Sequence, residues 1–156
     1  MRFQLVDRIV DFTPGQRLAA YKNLALGEEY LADHFPKFPV MPGVLMLQAL
    51  VESAAWLLRL SENFSQSMIV LREVKNVKYG SFVEPGRRMQ MEVELTKQEG
   101  SLSTFKGKGH VEGTATVTAR FVTEHYNLQD RHPEMSTVDE RLTQHFRQLA
   151  TLLQLK

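Results

Sequence analysis

The chain has 156 residues, 43% of them hydrophobic and 24% charged, with a net charge of +1. That length fits one domain with a proper core, and the charge balance gives no global drive toward nucleic acid or an acidic membrane. There is no cysteine, which excludes disulfides, thiolate zinc sites and a cysteine nucleophile, and fits a reducing cytoplasm.

The first residues, Met1-Arg2-Phe3-Gln4, lack the apolar stretch of a signal peptide. Residues 5–12 alternate loosely and read as a strand. Thr13-Pro14-Gly15-Gln16 suits a type I or II turn, and residues 17–23 read as the returning strand of a hairpin. Residues 24–33 read as irregular, with one helical turn around 28–31. Pro36, Pro39 and Pro42 then recur at spacing three. Each fixes its own φ and pushes the preceding residue out of the α region, so residues 34–43 form a stiff, extended loop. At Pro42-Gly43 an apolar run begins, from Val44 to Leu58 with only a few polar interruptions. It reads as a helix to about residue 60, buried on most sides. Gln48 and Glu52 interrupt it four residues apart, on one face. The run is too short and too polar to be a comfortable membrane span.

Residues 61–67 are polar and end the helix. Residues 68–74 read as a strand and 76–83 as a second extended piece, closed by the turn Glu84-Pro85-Gly86. Residues 88–97 alternate, with Met89, Met91, Val93 and Leu95 on one face, as a half-buried antiparallel strand does. Residues 102–111 and 114–126, rich in Thr, Val and Phe, read as two more strands joined at Glu112-Gly113. Residues 128–135 read as a linker. Thr137-Val138-Asp139-Glu140 has a capping-box pattern, Thr with Glu three on, and opens an amphipathic helix to about residue 155. Its apolar face reads Val138, Leu142, Phe146, Leu149, Leu152 and Leu153. The pattern is α+β, an antiparallel sheet wrapped around one long central helix, plus a C-terminal helix.

Three features bear on chemistry. His34 sits at one end of the rigid loop. The free N–H groups of a buried helix start lie at the other, where they favour developing negative charge. Glu52 places an ionisable carboxyl inside an apolar helix, where leaving it unpaired is costly. A base, an oxyanion site and a candidate acid are what proton abstraction beside a carbonyl requires. The bland alternatives are a histidine that only hydrogen-bonds its loop and a structural carboxylate bonded to neighbouring backbone. His110, His125, His132 and His145 fall at no metal-ligand spacing and read as surface or packing residues.

At His34-Phe35-Pro36 and Pro39-Val40-Met41-Pro42-Gly43-Val44-Leu45 the sequence resembles the 3-hydroxyacyl-[acyl-carrier-protein] dehydratases of fatty-acid synthesis, the FabZ/FabA-like hotdog-fold enzymes. The likeness runs from about residue 5 to about 123, and includes Lys22-Asn23 and Val83-Glu84-Pro85-Gly86. It implies a hotdog domain over 1–127, with a linker and amphipathic helix over 128–156. It implies dehydration of a 3-hydroxyacyl thioester, carried by acyl carrier protein or CoA, to the trans-2-enoyl thioester. In that reading His34 takes the α-proton and the Gly43 N–H polarises the thioester carbonyl. The family's helix carboxylate, supplied by the other subunit to handle the leaving hydroxyl, falls at position 48, where this chain has Gln48. The glutamine often found one turn later is here Glu52, so the two stand exchanged. Glu52 then becomes the acid, with Gln48 holding the substrate hydroxyl. Tyr79 and Phe82 fall where the family lines or gates its acyl tunnel, with core packing as the alternative, and Val44 is a further substrate-binding candidate. Arg72, Lys75, Lys78, Arg87 and Arg88 are candidates for docking an acidic carrier protein. The resemblance further implies a homodimer or a trimer of dimers with sites at the interface, no metal or nucleotide cofactor, no nucleic acid and no membrane insertion. Two alternatives are a non-catalytic acyl-thioester-binding subunit and a hotdog thioesterase in which Glu52 activates water or attacks the carbonyl.

Overall fold

The computed structural model describes residues 3–154. Strands β1 (Arg8–Thr13) and β2 (Arg17–Asn23) form the expected hairpin. The helix α1 (Gly43–Ser61) follows the proline-rich loop. Strands β3 (Met68–Tyr79), β4 (Arg88–Glu99), β5 (Leu102–Val111) and β6 (Thr114–Tyr126) complete one antiparallel sheet in the order β1-β2-β4-β5-β6-β3. The helix α2 (Ser136–Leu153) closes the chain.

The sheet wraps α1 because the helix is apolar nearly all round. Met89, Met91 and Val93 of β4 face it, as alternation predicts, with Phe105 of β5 and Phe121 of β6. Phe105 and Phe121 stack at 5.7 Å. Gly107 brings β5 close to the helix: a Cβ there would stand 3.1 Å from Leu50 Cδ1 and 3.3 Å from Phe121. By length and composition alone α1 could cross a membrane, but 67% of its apolar window lies inside the protein.

The helix face away from Leu50 needs other cover. Glu52 lies about 200° round the helix from Leu50, and there the N-terminal segment crosses it. Leu5 and Val6 are buried, and the Leu5 N–H donates to Glu52 Oε2 at 3.0 Å. The strand expected over 5–12 therefore begins only at Arg8. Further along, α2 takes over the cover. Phe146 meets Trp56 edge-on at 5.9 Å and lies 3.7 Å over the Arg59 guanidinium, which also sits 5.5 Å over Trp56. Burial lowers the Arg59 pKa to about 10, so the buried cation stays charged at neutral pH and is held between two aromatic faces.

Three further expectations change. The strand over 68–74 and the piece over 76–83 are one strand, β3, which ends at Tyr79. Register shifts against β6 between Leu71 and Glu73, and between Val74 and Asn76, break its alternation. The capping box at Thr137 does not form: α2 starts at Ser136 with no side-chain cap. Asp139 instead accepts the N–H groups of Leu128 and Gln129, each at 2.9 Å, and the Ser67 hydroxyl. Leu152 is 71% exposed and leaves the apolar stripe, which Ala150 and Leu153 complete. The helix end expected at residue 155 lies outside the described residues.

Removing the Phe146 ring uncovers Trp56 and leaves the buried Arg59 without one of its two faces. Phe146→Ala is expected to cost about 3 kcal/mol, in the range of core aromatic deletions. Chemical denaturation of the variant beside the parent chain measures it.

Candidate active site

The loop that carries His34 owes its shape to a few backbone facts. Phe35 has φ of 51°, in the left-handed region that bulky residues rarely adopt. The Phe38 N–H donates to the Phe35 carbonyl at 2.7 Å and closes the turn. His34 Nδ1 lies 3.0 Å from the Val40 carbonyl oxygen. A carbonyl oxygen only accepts, so Nδ1 carries the proton and Nε2 keeps its lone pair. Phe35 packs against the imidazole at 4.5 Å. The far end of the loop is tied by the Met41 N–H, which donates to Val83 O at 2.9 Å.

Two residues later α1 begins. Pro42 has no N–H and offers no side-chain cap. Among the described residues, no backbone carbonyl or side chain accepts the N–H of Gly43 or Val44. Both belong to the first helical turn, where free N–H groups and the helix dipole favour negative charge. Tyr79 covers Gly43: its ring carbons stand 3.1–3.4 Å from where a Cβ would lie, so a side chain here would push the half-exposed ring aside by a few tenths of an ångström. Tyr79 is held in turn by Gly80, whose N–H donates to Thr116 O at 2.8 Å and whose missing Cβ would run into the Ala115 carbonyl.

Phe38 of the His34 loop meets Phe82 edge-on at 5.8 Å. The loop, the helix start and residues 79–83 are thus one surface. It is strongly apolar and open: Val44 is 65% exposed, Phe82 61% and Phe35 60%. Gln48, one turn after Val44 on the same side of α1, is also exposed. The tunnel implied by the resemblance is not closed by one chain. Cavities of ≈ 310 Å³ and ≈ 400 Å³ lie elsewhere, one on the outer sheet face around Glu92 and Lys106, the other beside α2 around Asp139 and Arg147.

Glu52 stands apart from this surface, with one carboxyl oxygen taken by the Leu5 N–H. Burial raises its pKa to about 7, against the lowering effects of the Leu5 bond and of the positive charges on Arg59 and Lys22. It therefore holds a proton well above the usual carboxyl range. The structure also shows what the sequence reading missed. Phe35 and Phe38 shape and line the site. Lys22, on the inward face of β2 with Leu18 and Ala20, is a buried lysine; strict alternation along residues 18–22 is the signal that points to it.

Because Glu52 is protonated more readily in the folded chain, the native state holds more protons than the unfolded one between about pH 4.5 and pH 7. Stability from this group is full below that window and is lost as pH rises through it. The difference amounts to about 3 kcal/mol. Glu52→Gln is expected to flatten this part of the stability–pH profile, as read by urea denaturation from pH 4 to 8.

A family model described as a FabA-like domain matches residues 1–120. A 3-hydroxyacyl-[acyl-carrier-protein] dehydratase FabZ of Myxococcus xanthus is 40% identical over 122 residues, covering 77% of this chain and 80% of the relative. The FabZ of Bacillus velezensis is 35% identical over 117 residues, covering 75% and 83%. Among solved structures, the dehydratase heterocomplex ApeI:P from Xenorhabdus doucetiae shares the fold with a TM-score of 0.69 at 14% identity, covering 85% of this chain and 90% of that one. The protein smu.793 of Streptococcus mutans, bound to acetyl CoA, does so with a TM-score of 0.61 at 10% identity, covering 81% and 94%. The helix α2 begins beyond the matched residues. The chain belongs to the FabA-like family of hotdog-fold 3-hydroxyacyl-[acyl-carrier-protein] dehydratases.

Proposed function

We propose that this chain is a soluble, cytoplasmic dehydratase. It eliminates water from a 3-hydroxyacyl thioester on acyl carrier protein to give the trans-2-enoyl thioester, in fatty-acid or related acyl-chain synthesis. The observation that carries the reading is the Nδ1–H bond from His34 to Val40, because it leaves a basic Nε2 on an arm that ends at the free N–H groups of Gly43 and Val44. Nε2 takes the proton from C2. The electron pair moves onto the carbonyl oxygen, which the Gly43 N–H holds, and returns as the C2–C3 double bond forms and the C3–O bond breaks. The departing hydroxyl needs a proton to leave as water. Within one chain Glu52 stands apart from the His34 surface, so we assign that proton to the Glu52 carboxyl of a second copy of the chain; Oε2 accepts the Leu5 N–H, which leaves Oε1 as the oxygen that carries the proton. Gln48 holds the hydroxyl, and Val44, Tyr79 and Phe82 line the acyl path.

The open apolar surface around Phe35, Val44 and Phe82 needs a second wall, and we assign that wall to a second copy of the chain, so that the working unit is a homodimer or a trimer of dimers. Arg72, Lys75 and Lys78 on the exposed strand β3 are free to meet an acidic carrier. Arg87 is engaged by Glu112 and Arg88 by Asn23.

The bond from Leu5 to Glu52 also favours a second reading. In it Glu52 is purely structural and the chain binds acyl thioesters without turnover. Incubation with 3-hydroxyacyl and trans-2-enoyl carrier-protein thioesters separates the two, following interconversion and free thiol together. The first reading expects interconversion, lost by roughly 10²–10⁴-fold in His34→Ala and in Glu52→Gln. Binding without interconversion, with Gln48→Glu adding activity, supports the second. Release of free thiol contradicts both and makes the chain a thioesterase.

A further inference from the structure

We propose that Lys22 is a positioning residue for His34, acting through Glu28 at the root of the loop that carries the imidazole. The inference rests on His34 being the base. Lys22 occupies an inward register position on β2, opposite Met89, and only 5% of it is exposed. Its ammonium lies 2.7 Å from Glu28 Oε1 and 3.4 Å from Asp7 Oδ1. A buried lysine between two carboxylates is costly to form and costly to break on one side, because the remaining charge loses its partner. Such a group holds its neighbours in one geometry.

Each carboxylate ties down a different piece of chain. Asp7 belongs to the N-terminal segment, and its other oxygen accepts the Asn23 N–H at 2.7 Å. Glu28 begins the loop that leads to the site. Its carbonyl accepts the Leu31 N–H at 3.1 Å, which starts the single turn of helix at Glu29–Leu31. His34 follows three residues after that turn. Between Leu24, which is bonded to the backbone at Arg87 and Gly86, and Met41, which is bonded to Val83, the loop buries only Tyr30, Leu31 and Val40. Among the described residues, the Lys22–Glu28 contact is the one ion pair that anchors this stretch. Val40 holds the imidazole from the downstream side. The ion pair fixes the upstream side, and a catalytic group displaced by about 1 Å loses on the order of a hundredfold in rate.

Neutralising each carboxylate in turn separates positioning from stability. In Glu28→Gln, Lys22 keeps Asp7 as its partner, so the fold is retained while the loop root is released. In Asp7→Asn, Lys22 keeps Glu28, so the loop stays anchored while the N-terminal segment loosens. Steady-state dehydration of 3-hydroxyacyl carrier-protein thioesters is measured at a temperature where circular dichroism shows both variants folded. Glu28→Gln is expected to lower kcat about ten- to a hundredfold with KM within about twofold. Asp7→Asn is expected to lower the melting temperature and to lower kcat less than Glu28→Gln does, and Glu28→Asp, which keeps the charge, is expected to recover part of kcat. Should Glu28→Gln not fold, Glu28→Asp carries the comparison, with a smaller loss of kcat expected. Equal losses in the Asp7 and Glu28 variants overturn the proposal. So does an unchanged kcat in Glu28→Gln when His34→Ala is inactive, and the dehydratase reading then survives. Full turnover in His34→Ala removes that reading and this inference with it.

Discussion

A nineteen-residue helix with almost no polar face cannot be left in water, and the architecture follows from that constraint. The sheet curls around the side marked by Leu50 and Ser53, made close-fitting by Gly107. The remaining circumference is shared by the N-terminal segment at Glu52 and by α2 at Trp56 and Arg59. Some polar groups on the covered part of the helix are held in specific ways, while Trp56 Nε1 and Arg59 Nε are buried without a hydrogen-bond partner among the described residues. Ser53 donates to its own helix carbonyl at Ala49, Glu52 accepts the Leu5 amide, and Arg59 lies between aromatic rings. The one stretch left uncovered is the first turn and a half, where Val44 and Gln48 face outward.

That uncovered stretch is where we place the proposed chemistry. A helix start is the place where backbone N–H groups lack internal partners. The proline-stiffened loop delivers a histidine to it in a defined tautomer, set by a carbonyl six residues on. Tyr79 closes over Gly43, and Phe38 reaches across to Phe82, so three separate pieces of chain meet around the helix end. The buried ion group at Lys22 fixes the root of the same loop. Stability and function therefore draw on the same device: a long, enclosed helix with one end open.

Much of this was legible in the sequence because it is local. Strands β5 and β6 run over the residues expected, since the turn between them needs two residues with positive φ, and Glu112 and Gly113 supply it. The helix start follows from Pro42-Gly43 and an apolar run, but the loop before it is not extended throughout: Phe35 has φ of 51° and the Phe38 N–H closes a turn on Phe35, a local geometry the prolines alone do not dictate. What was not legible depends on partners far along the chain. Asp139 looks like part of a local cap but serves amides at 128 and 129 and a hydroxyl at 67. For Glu52 a bond to backbone is one of the two readings of the sequence, but nothing local says that the amide is Leu5, 47 residues away. The two irregularities in β3 hide its alternation, because each extra residue shifts the side chains to the opposite face. The open apolar surface also exceeds what one chain can show, since its second wall is assigned to another copy.

The account turns on which ring nitrogen of His34 is free. Long-range ¹H–¹⁵N correlation spectra of the histidine side chains, recorded at alkaline pH on the parent chain and on His34→Ala for assignment, read this directly. The geometry predicts a single neutral tautomer for His34, protonated at Nδ1 with an unprotonated Nε2. A spectrum in which Nε2 carries the proton would contradict it, since the nitrogen facing the substrate would then have no lone pair to accept the α-proton.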